Sequence, residues 1–195
     1  MRPSSLACTL VLFCSTAAYA ADDLAVDAVR KGEFVEVEAR ATVEASLAVV
    51  WSTLTDYERL PEFIPGLRKS KVISRRGGTV VVEQSGEARF LMFTFPIDVT
   101  LESVERPPSS IQVRALSGSL RHFEGGYHVE PQHGGGKIVL RWVGSIIPEV
   151  SLPPLIGEVV MRMRIEDQFT GMVREIERRE ALRRAKEAAP KVSPQ

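Results

Sequence analysis

Three histidines are the first residues to test for metal chemistry. His122 and His128 lie six residues apart in a segment that reads as one β-strand, so both side chains point to the same face. At about 3.3 Å per residue they are about 20 Å apart, too far to share one ion. His133 lies in a glycine-rich turn. The histidines therefore predict no metal site, and no other motif indicates a cofactor.

Motifs for nucleophilic or phosphate chemistry are missing from the sequence. No serine lies in a Gly-x-Ser-x-Gly elbow, and both cysteines, Cys8 and Cys14, lie in the first 20 residues. The stretch HGGGK at 133–137 lacks the helix and the following Ser or Thr of a phosphate-binding loop. Four acids are scattered without an evident partner: Asp56, Glu58, Asp98 and Glu124. We predict no catalytic residue, although a carboxylate facing an apolar cavity would have a raised pKa.

Aromatic and methionine side chains are more informative. They recur on successive predicted strands and on the last predicted helix: Phe90, Phe93, Phe95, Phe123, Tyr127, Trp142, Met161, Met163 and Met172. Phe123 and Tyr127 are four residues apart and share one strand face. Methionine adapts well to irregular apolar sites. Two interpretations stay open: ordinary core packing and the lining of a ligand cavity.

Hydrophobic periodicity predicts the elements that would position these side chains. A first strand is predicted over 33–43 and an amphipathic helix over 44–60, whose continuity Pro61 and Pro65 end, so that a short proline-broken helix follows it. Six strands are predicted over 68–76, 79–88, 89–105, 110–118, 120–131 and 137–147. A last helix is predicted from about residue 153 to 188, buried to about Ile176 and frayed into solvent beyond it. Since a curled sheet cannot fill its own concave face, this helix must lie across it, with a pocket between the two.

The first 20 residues have the pattern of a secretory signal peptide. Arg2 precedes a short apolar stretch and an Ala-Tyr-Ala cleavage site that ends at Ala20. The chain has 25 basic and 25 acidic residues, a balance that does not indicate nucleic-acid binding. We expect a secreted or periplasmic protein with a signal peptide over 1–20, a leader over 21–32, one ligand-binding domain over 33–180 and a charged tail over 181–195.

Three segments carry a resemblance to a known family. They are VWSTLTDYERLPEFIPGLRKSKVI at 50–73, FEGGYHVEP at 123–131 and IIPEVSLPPLIGEVV at 146–160. They resemble segments of the START-like (SRPBCC) polyketide cyclase/dehydrase and lipid-transport proteins, nearest the coenzyme Q-binding branch. The resemblance covers about 33–180, and it departs at Tyr127, where family members often carry Trp.

The resemblance implies an α+β helix-grip fold. In that fold a curved seven-stranded antiparallel sheet surrounds a long C-terminal helix, with an apolar cavity between them. It also implies that the PEFIP turn at 61–65 borders the cavity. We therefore expect ligand contacts, in the cavity or at its entrance, from Phe63, Ile64, Phe93, Phe95, Phe123, Tyr127, Trp142, Leu152, Leu155, Val159 and Met163.

The expected function is the binding and transport of an apolar small molecule, a lipid or an isoprenoid quinone. Transient contact with a membrane surface is a further expectation, and no nucleic-acid partner is expected. One alternative is an enzyme similar to the polyketide cyclases and dehydratases, acting on an apolar substrate in the same cavity. A third, a protein-interaction module, fits poorly with export.

We predict that the mature protein begins at Ala21 and leaves the cytoplasm. Mass spectrometry of the protein from the cell envelope should give Ala21 as its first residue. Ala20→Phe should block cleavage, because the site needs a small side chain. An uncleaved wild-type protein in the cytosolic fraction would contradict the prediction.

Overall fold

The computed structural model describes residues 22–90, 93–148 and 154–189, so the predicted signal peptide lies outside the described residues. The strands are β1 (Asp22–Lys31), β2 (Phe34–Val43), β3 (Leu67–Arg76), β4 (Thr79–Phe90), β5 (Phe93–Arg106), β6 (Ser110–Gly118), β7 (Leu120–Pro131) and β8 (Ile138–Pro148). The helices are α1 (Leu47–Leu54), a 3-10 helix (Tyr57–Glu62) and α2 (Pro154–Ala188).

Within the described residues the strands form one antiparallel sheet. Its order is β1-β2-β8-β7-β6-β5-β4-β3. After β2 the chain passes through α1 and the 3-10 helix to the far edge and returns by successive hairpins from β3 to β8. The predicted α+β arrangement, a curved antiparallel sheet with a C-terminal helix, is confirmed.

Over the ranges that the structure describes, the sheet has eight strands where seven were expected, and the additional strand is β1. The segment 21–32 is predicted as a leader, whereas most of it forms an edge strand paired with β2. Gly32 turns the hairpin with a φ of 65°, a conformation that costs glycine little. Alternate residues Leu24, Val26 and Ala28 face the hydrophobic core. This period of two, which is typical of a strand, is present in the sequence.

The helix predicted over 44–60 is shorter than expected, and the short proline-broken helix predicted after it begins earlier, at Tyr57. α1 ends at Leu54, and Thr55 caps it through a backbone N–H that donates to the Trp51 carbonyl at 3.1 Å. The 3-10 helix that follows contains Pro61, so this proline lies inside an element rather than ending one. 3-10 helices occur mostly in such short pieces, where they serve as connectors.

α2 packs against β1, β2 and α1. Its buried apolar residues include Val160, Phe169, Met172, Val173 and Ile176. Val159 and Met163 were expected on the same stripe, but their side chains are 52% and 53% exposed. Among the described side chains of this stripe, Val159, Val160 and Met163, only Val160 is buried.

Gly171 lets α2 approach the turn after the 3-10 helix. A Cβ atom at this position would lie 2.4 Å from the Phe63 carbonyl oxygen and 2.9 Å from Pro65 Cδ. A glycine inside a helix costs about 1 kcal/mol relative to alanine, so this contact explains its presence. The close approach places the 3-10 segment directly beside the middle of α2.

The last turns of α2 are fixed by a buried carboxylate. The segment after Arg178 was expected to fray, but the helix continues to Ala188 and Glu180 is 2% exposed. Glu180 Oε2 accepts hydrogen bonds from the backbone N–H of Ser46 at 3.2 Å and from its hydroxyl at 3.1 Å. Arg183 and Arg184 donate to the other carboxylate oxygen at 2.6 and 2.9 Å. These bonds tie α2 to the N-terminus of α1.

The hydrogen bonds to Glu180 predict a pH-dependent stability. The hydrogen bond from Arg183 and those from Ser46 and Arg184 outweigh burial and lower the pKa of Glu180 from its ordinary 4.5 to about 2. The unfolded chain therefore binds more protons between these values, and the free energy of unfolding should fall as the pH is lowered through this window. Glu180→Gln should be less stable at pH 7 and lack this part of the pH dependence, as measured by urea unfolding.

Glu187→Gln is the matched control for that measurement. The Glu187 side chain is 65% exposed, although it also pairs with Arg183. Loss of an exposed pair costs about 0–1 kcal/mol, so this variant should keep the wild-type pH profile. Identical profiles for wild type and Glu180→Gln would show that Glu180 does not act as described.

Candidate functional site

A cavity of about 150 Å³ lies between the sheet, α2 and the two short helical elements. The helical segments contribute Leu54, Tyr57, Leu60, Ile64, Ile165, Gln168, Phe169 and Met172. The strands contribute Leu67, Val82, Gln84, Leu101, Ser103, Ile111, Val113, Phe123, Tyr127 and Trp142. None of these described residues carries a formal charge. The wall is therefore apolar with a few neutral polar groups.

Two glycines make room for the indole that forms part of the wall. A Cβ atom on Gly144 would lie 2.6 Å from Trp142 Cη2, and one on Gly125 would lie 3.1 Å from Trp142 Cζ2. Gly125 and Gly144 are paired across β7 and β8. The Trp142 ring thus lies flat over two strands, with the Phe123 ring at 6.1 Å between centroids. The sheet supplies an aromatic floor to the cavity.

α2 supplies the opposite wall. Ile165, Gln168, Phe169 and Met172 follow the spacing of one helical face. The Phe169 ring stacks on Tyr127 with centroids 6.4 Å apart and an interplanar angle of 11°. Burial raises the pKa of Tyr127 above its ordinary value, so its hydroxyl stays protonated.

The proline-broken segment places its two bulky residues differently. Ile64 is 9% exposed and lines the cavity, with Leu60 and Tyr57 from the preceding turn. Phe63 does not line it: its ring lies beside the Arg179 guanidinium, 5.5 Å from the carbon to the centroid. Arg179 also pairs with Asp56 at 2.8 Å. Ile64 therefore faces the cavity, and Phe63 anchors the segment to α2.

Tyr57 is the polar group with the strongest protein contacts. Its hydroxyl donates to Glu105 Oε1 at 3.0 Å, and Arg75 Nη1 donates to the same oxygen at 3.2 Å. Burial and the neighbouring Glu105 carboxylate raise the pKa of Tyr57, an effect that Ser103 and Arg75 only partly offset. The Tyr57 hydroxyl proton is thus engaged in a hydrogen bond with Glu105, which is not one of the cavity-lining residues.

The structure brings four of the eleven expected site residues together in the cavity wall: Ile64, Phe123, Tyr127 and Trp142. Phe63 lies behind the wall, and Val159 and Met163 are exposed on α2, which corrects their expected position. Leu152 lies outside the described residues, as do the side chains of Phe93, Phe95 and Leu155. For all eleven residues, contact with a ligand stays a prediction.

Sequence reasoning missed most of the small and polar wall residues. Gln84, Ser103 and Gln168 lie on elements whose apolar neighbours gave the stronger signal. On β4 and α2 the signal was available, because Gln84 alternates with Val80 and Val82, and Gln168 adjoins Phe169. Buried polar residues are uncommon, so a polar residue at a core-facing position indicates a cavity. Hydrophobic periodicity alone treats such a residue as a break in the apolar pattern.

The histidines show other contacts. His122 Nε2 lies 2.9 Å from Ser145 Oγ, and its ring meets Phe34 edge-on at 5.2 Å. In the part of the chain that the structure describes, no group of three or more His, Cys, Asp or Glu side chains is arranged to hold a metal ion. Over the same ranges, no helix combines the length and hydrophobicity needed to cross a membrane.

The family model for polyketide cyclase/dehydrase and lipid transport matches residues 43–182. The chain belongs to this family. The match begins at the end of β2 and includes the cavity wall from Leu54 to Met172. No curated protein matches the chain.

Solved structures share the fold of this family member at low sequence identity. The Zhui aromatase/cyclase of a Streptomyces species is 15% identical, with a TM-score of 0.67 over 80% of this chain and 99% of its own. A STAR-related lipid transfer protein fragment from Xanthomonas axonopodis is 11% identical, with a TM-score of 0.67 over 82% and 96%. A START superfamily protein from Mycobacterium smegmatis is 14% identical, with a TM-score of 0.58 over 75% and 97%. At these identities the likeness establishes the fold alone.

Two methionines of α2 test the position of the wall. Met172 is 3% exposed and lines the cavity, whereas Met163 is 53% exposed. Met172→Ala should lower the free energy of unfolding by about 2 to 5 kcal/mol, the range for truncating a buried methionine. Met163→Ala should change it by no more than about 0.5 kcal/mol. Urea unfolding measures both, and equal losses would contradict the orientation of α2.

Proposed function

We propose that the protein binds an apolar small molecule, a lipid or an isoprenoid quinone, in the cavity between the sheet and α2, and carries it. The observation that supports this most is the composition of the wall: aromatic and aliphatic side chains enclose the space, and no charged side chain lies among the described lining residues. Burial of apolar ligand surface contributes roughly 25 cal/mol per Å², and a few polar groups suffice to orient the ligand.

The size of the cavity limits how much of a ligand it encloses. A cavity of about 150 Å³ is comparable with one that holds a single benzene ring. Pockets for drug-sized ligands have volumes of about 300–1,000 Å³. We therefore propose that a ring or a short chain segment is enclosed, and that the rest of a longer molecule reaches the entrance or requires α2 to move outward.

The finer features of the proposal follow from the sequence. We propose export through the signal peptide at 1–20, a ligand similar to that of the coenzyme Q-binding branch, and transient contact with a membrane surface during loading. The connection from Ile146 to Gly157 is rich in proline and large aliphatic residues, which suits an apolar lip at the entrance. Ile64, Leu152 and Leu155 would contribute to that lip, with Phe63 behind it.

A second candidate is a cyclase or dehydratase that acts in the same cavity. The observation in its favour is a polar pair next to the cavity: the hydroxyl of Tyr57, a lining residue, donates to Glu105 behind the wall at 3.0 Å. The name of the Streptomyces aromatase/cyclase is consistent with such chemistry on this fold. Against it, the raised pKa of Tyr57 makes this tyrosine a poor proton donor and acceptor near neutral pH.

Native mass spectrometry, with lipid extraction, of protein purified from its own envelope tests the proposal. We expect a bound lipid or quinone in the wild type. Val113→Trp should reduce its amount about 5- to 150-fold, because the added indole occupies the cavity and overpacking it with a ligand costs about 1–3 kcal/mol, where 1.4 kcal/mol is a factor of ten.

Leu116→Trp is the matched control on the same strand. Leu116 is 45% exposed, so the added ring should meet solvent and leave the bound ligand unchanged. A wild-type protein without any ligand, or equal losses in the two variants, would contradict binding in this cavity. Conversion of the bound molecule into a cyclised or dehydrated product during incubation would favour the enzyme instead.

A further inference from the structure

Besides the Trp142 indole N–H, the described part of the cavity wall has five polar side chains, all with hydroxyl or carboxamide groups, and they fall into two classes. Three of them are already engaged with other protein groups. The Tyr57 hydroxyl donates to Glu105 at 3.0 Å, and the Gln84 amide donates to Ser70 Oγ at 3.2 Å. Ser103, which is 3% exposed, is directed at the Tyr57 hydroxyl. A ligand gains little from these groups because it would have to compete for them.

The other two polar groups are open. Among the described residues, no group donates to or accepts from the Tyr127 hydroxyl or the Gln168 carboxamide, although both side chains line the cavity. Every fully buried side-chain nitrogen or oxygen of the described residues has a hydrogen-bond partner. Since these two groups have none among those residues, their polar atoms are not fully buried, and a ligand can reach them. One projects from the sheet on β7 and the other from α2, next to Phe169.

We propose that the ligand of this cavity carries an uncharged oxygen group, a carbonyl or a hydroxyl, which hydrogen-bonds to Tyr127 and Gln168. The inference rests on the proposed binding function and specifies its ligand. A tyrosine hydroxyl offers one donor, and a glutamine amide offers two donors and one acceptor. A carbonyl oxygen accepts from both side chains, and a hydroxyl can also donate to the glutamine oxygen.

An anionic headgroup does not suit this site. None of the described lining residues is Lys, Arg or His, so nothing in that part of the wall would offset a carboxylate or phosphate. The charged pair that Tyr57 contacts behind the wall, Arg75 and Glu105, is already joined by its own ion pair at 3.2 Å. Burial of an unpaired charge is strongly unfavourable, whereas a neutral oxygen needs only a hydrogen bond.

Three probes on one benzene ring, which suits a cavity of this size, separate these possibilities: ethylbenzene, acetophenone and benzoate. Isothermal titration calorimetry should give the lowest Kd for the neutral carbonyl compound. We expect it to bind about 2- to 10-fold more tightly than the hydrocarbon, the ratio that one net hydrogen bond supplies. Benzoate should bind more weakly than both.

Two single variants identify the groups responsible. Tyr127→Phe and Gln168→Leu should each reduce the preference for acetophenone and leave the affinity for ethylbenzene equal or higher. Gln112→Leu is the matched control, because Gln112 is exposed on β6 and should keep the wild-type preference. Two variants are used so that a failure of one to fold leaves the other to decide.

The outcomes also separate this inference from the proposed function. If the wild type binds the series without preferring the carbonyl, or if both variants keep the preference, the inference is wrong while apolar binding stands. If benzoate binds most tightly, the ligand is an anion and the inference is again wrong. If none of the three binds, the cavity does not take aromatic apolar ligands, and both the inference and the proposed function are contradicted.

Discussion

The curl of the antiparallel sheet is the constraint on which the rest of the molecule depends. A long antiparallel meander twists and coils, and the side chains of its concave face cannot meet across the space they enclose. α2 covers that face, but a helix and a curled sheet stay in contact over only part of their length. Val173 and Ile176 are 1% and 0% exposed, so packing is complete there. Towards Ile165 the surfaces separate, and the cavity occupies the gap.

Ion pairs fix the helix at the end where packing is complete. Glu180 is bonded to Ser46 at the start of α1, and Glu175, which is 6% exposed, pairs with Arg179 at 2.7 Å. Arg179 in turn pairs with Asp56 just before the 3-10 helix. Removing one partner of a buried ion pair leaves an uncompensated charge and strongly destabilises the fold. These contacts therefore hold α2 in a defined position. Because the 3-10 helix and α2 both contribute to the cavity wall, the same ion pairs set the distance between those two walls.

The sequence predicts the order of the elements well because each strand carries its own alternation and each turn its own glycine or proline. It does not predict which of two apolar stripes on α2 packs. Met163 and Ile165 are two residues apart, about 200° around a helix axis, and both belong to runs with helical spacing. Which of the two stripes packs depends on where the sheet lies. β1 was missed although Leu24, Val26 and Ala28 alternate, and Gly171 could not be interpreted before the Phe63 carbonyl was placed beside it.

The chemistry of the wall bears on the choice between a carrier and an enzyme. General acid–base catalysis works best with a group whose pKa lies near the working pH. The titratable groups among the described lining residues are two tyrosines, and burial raises the pKa of both, with Glu105 adding to the effect at Tyr57. Each tyrosine therefore remains protonated and acts as a hydrogen-bond donor. Such a wall can hold and orient a neutral molecule, while proton transfer would need a group that the ligand itself or another part of the chain supplies.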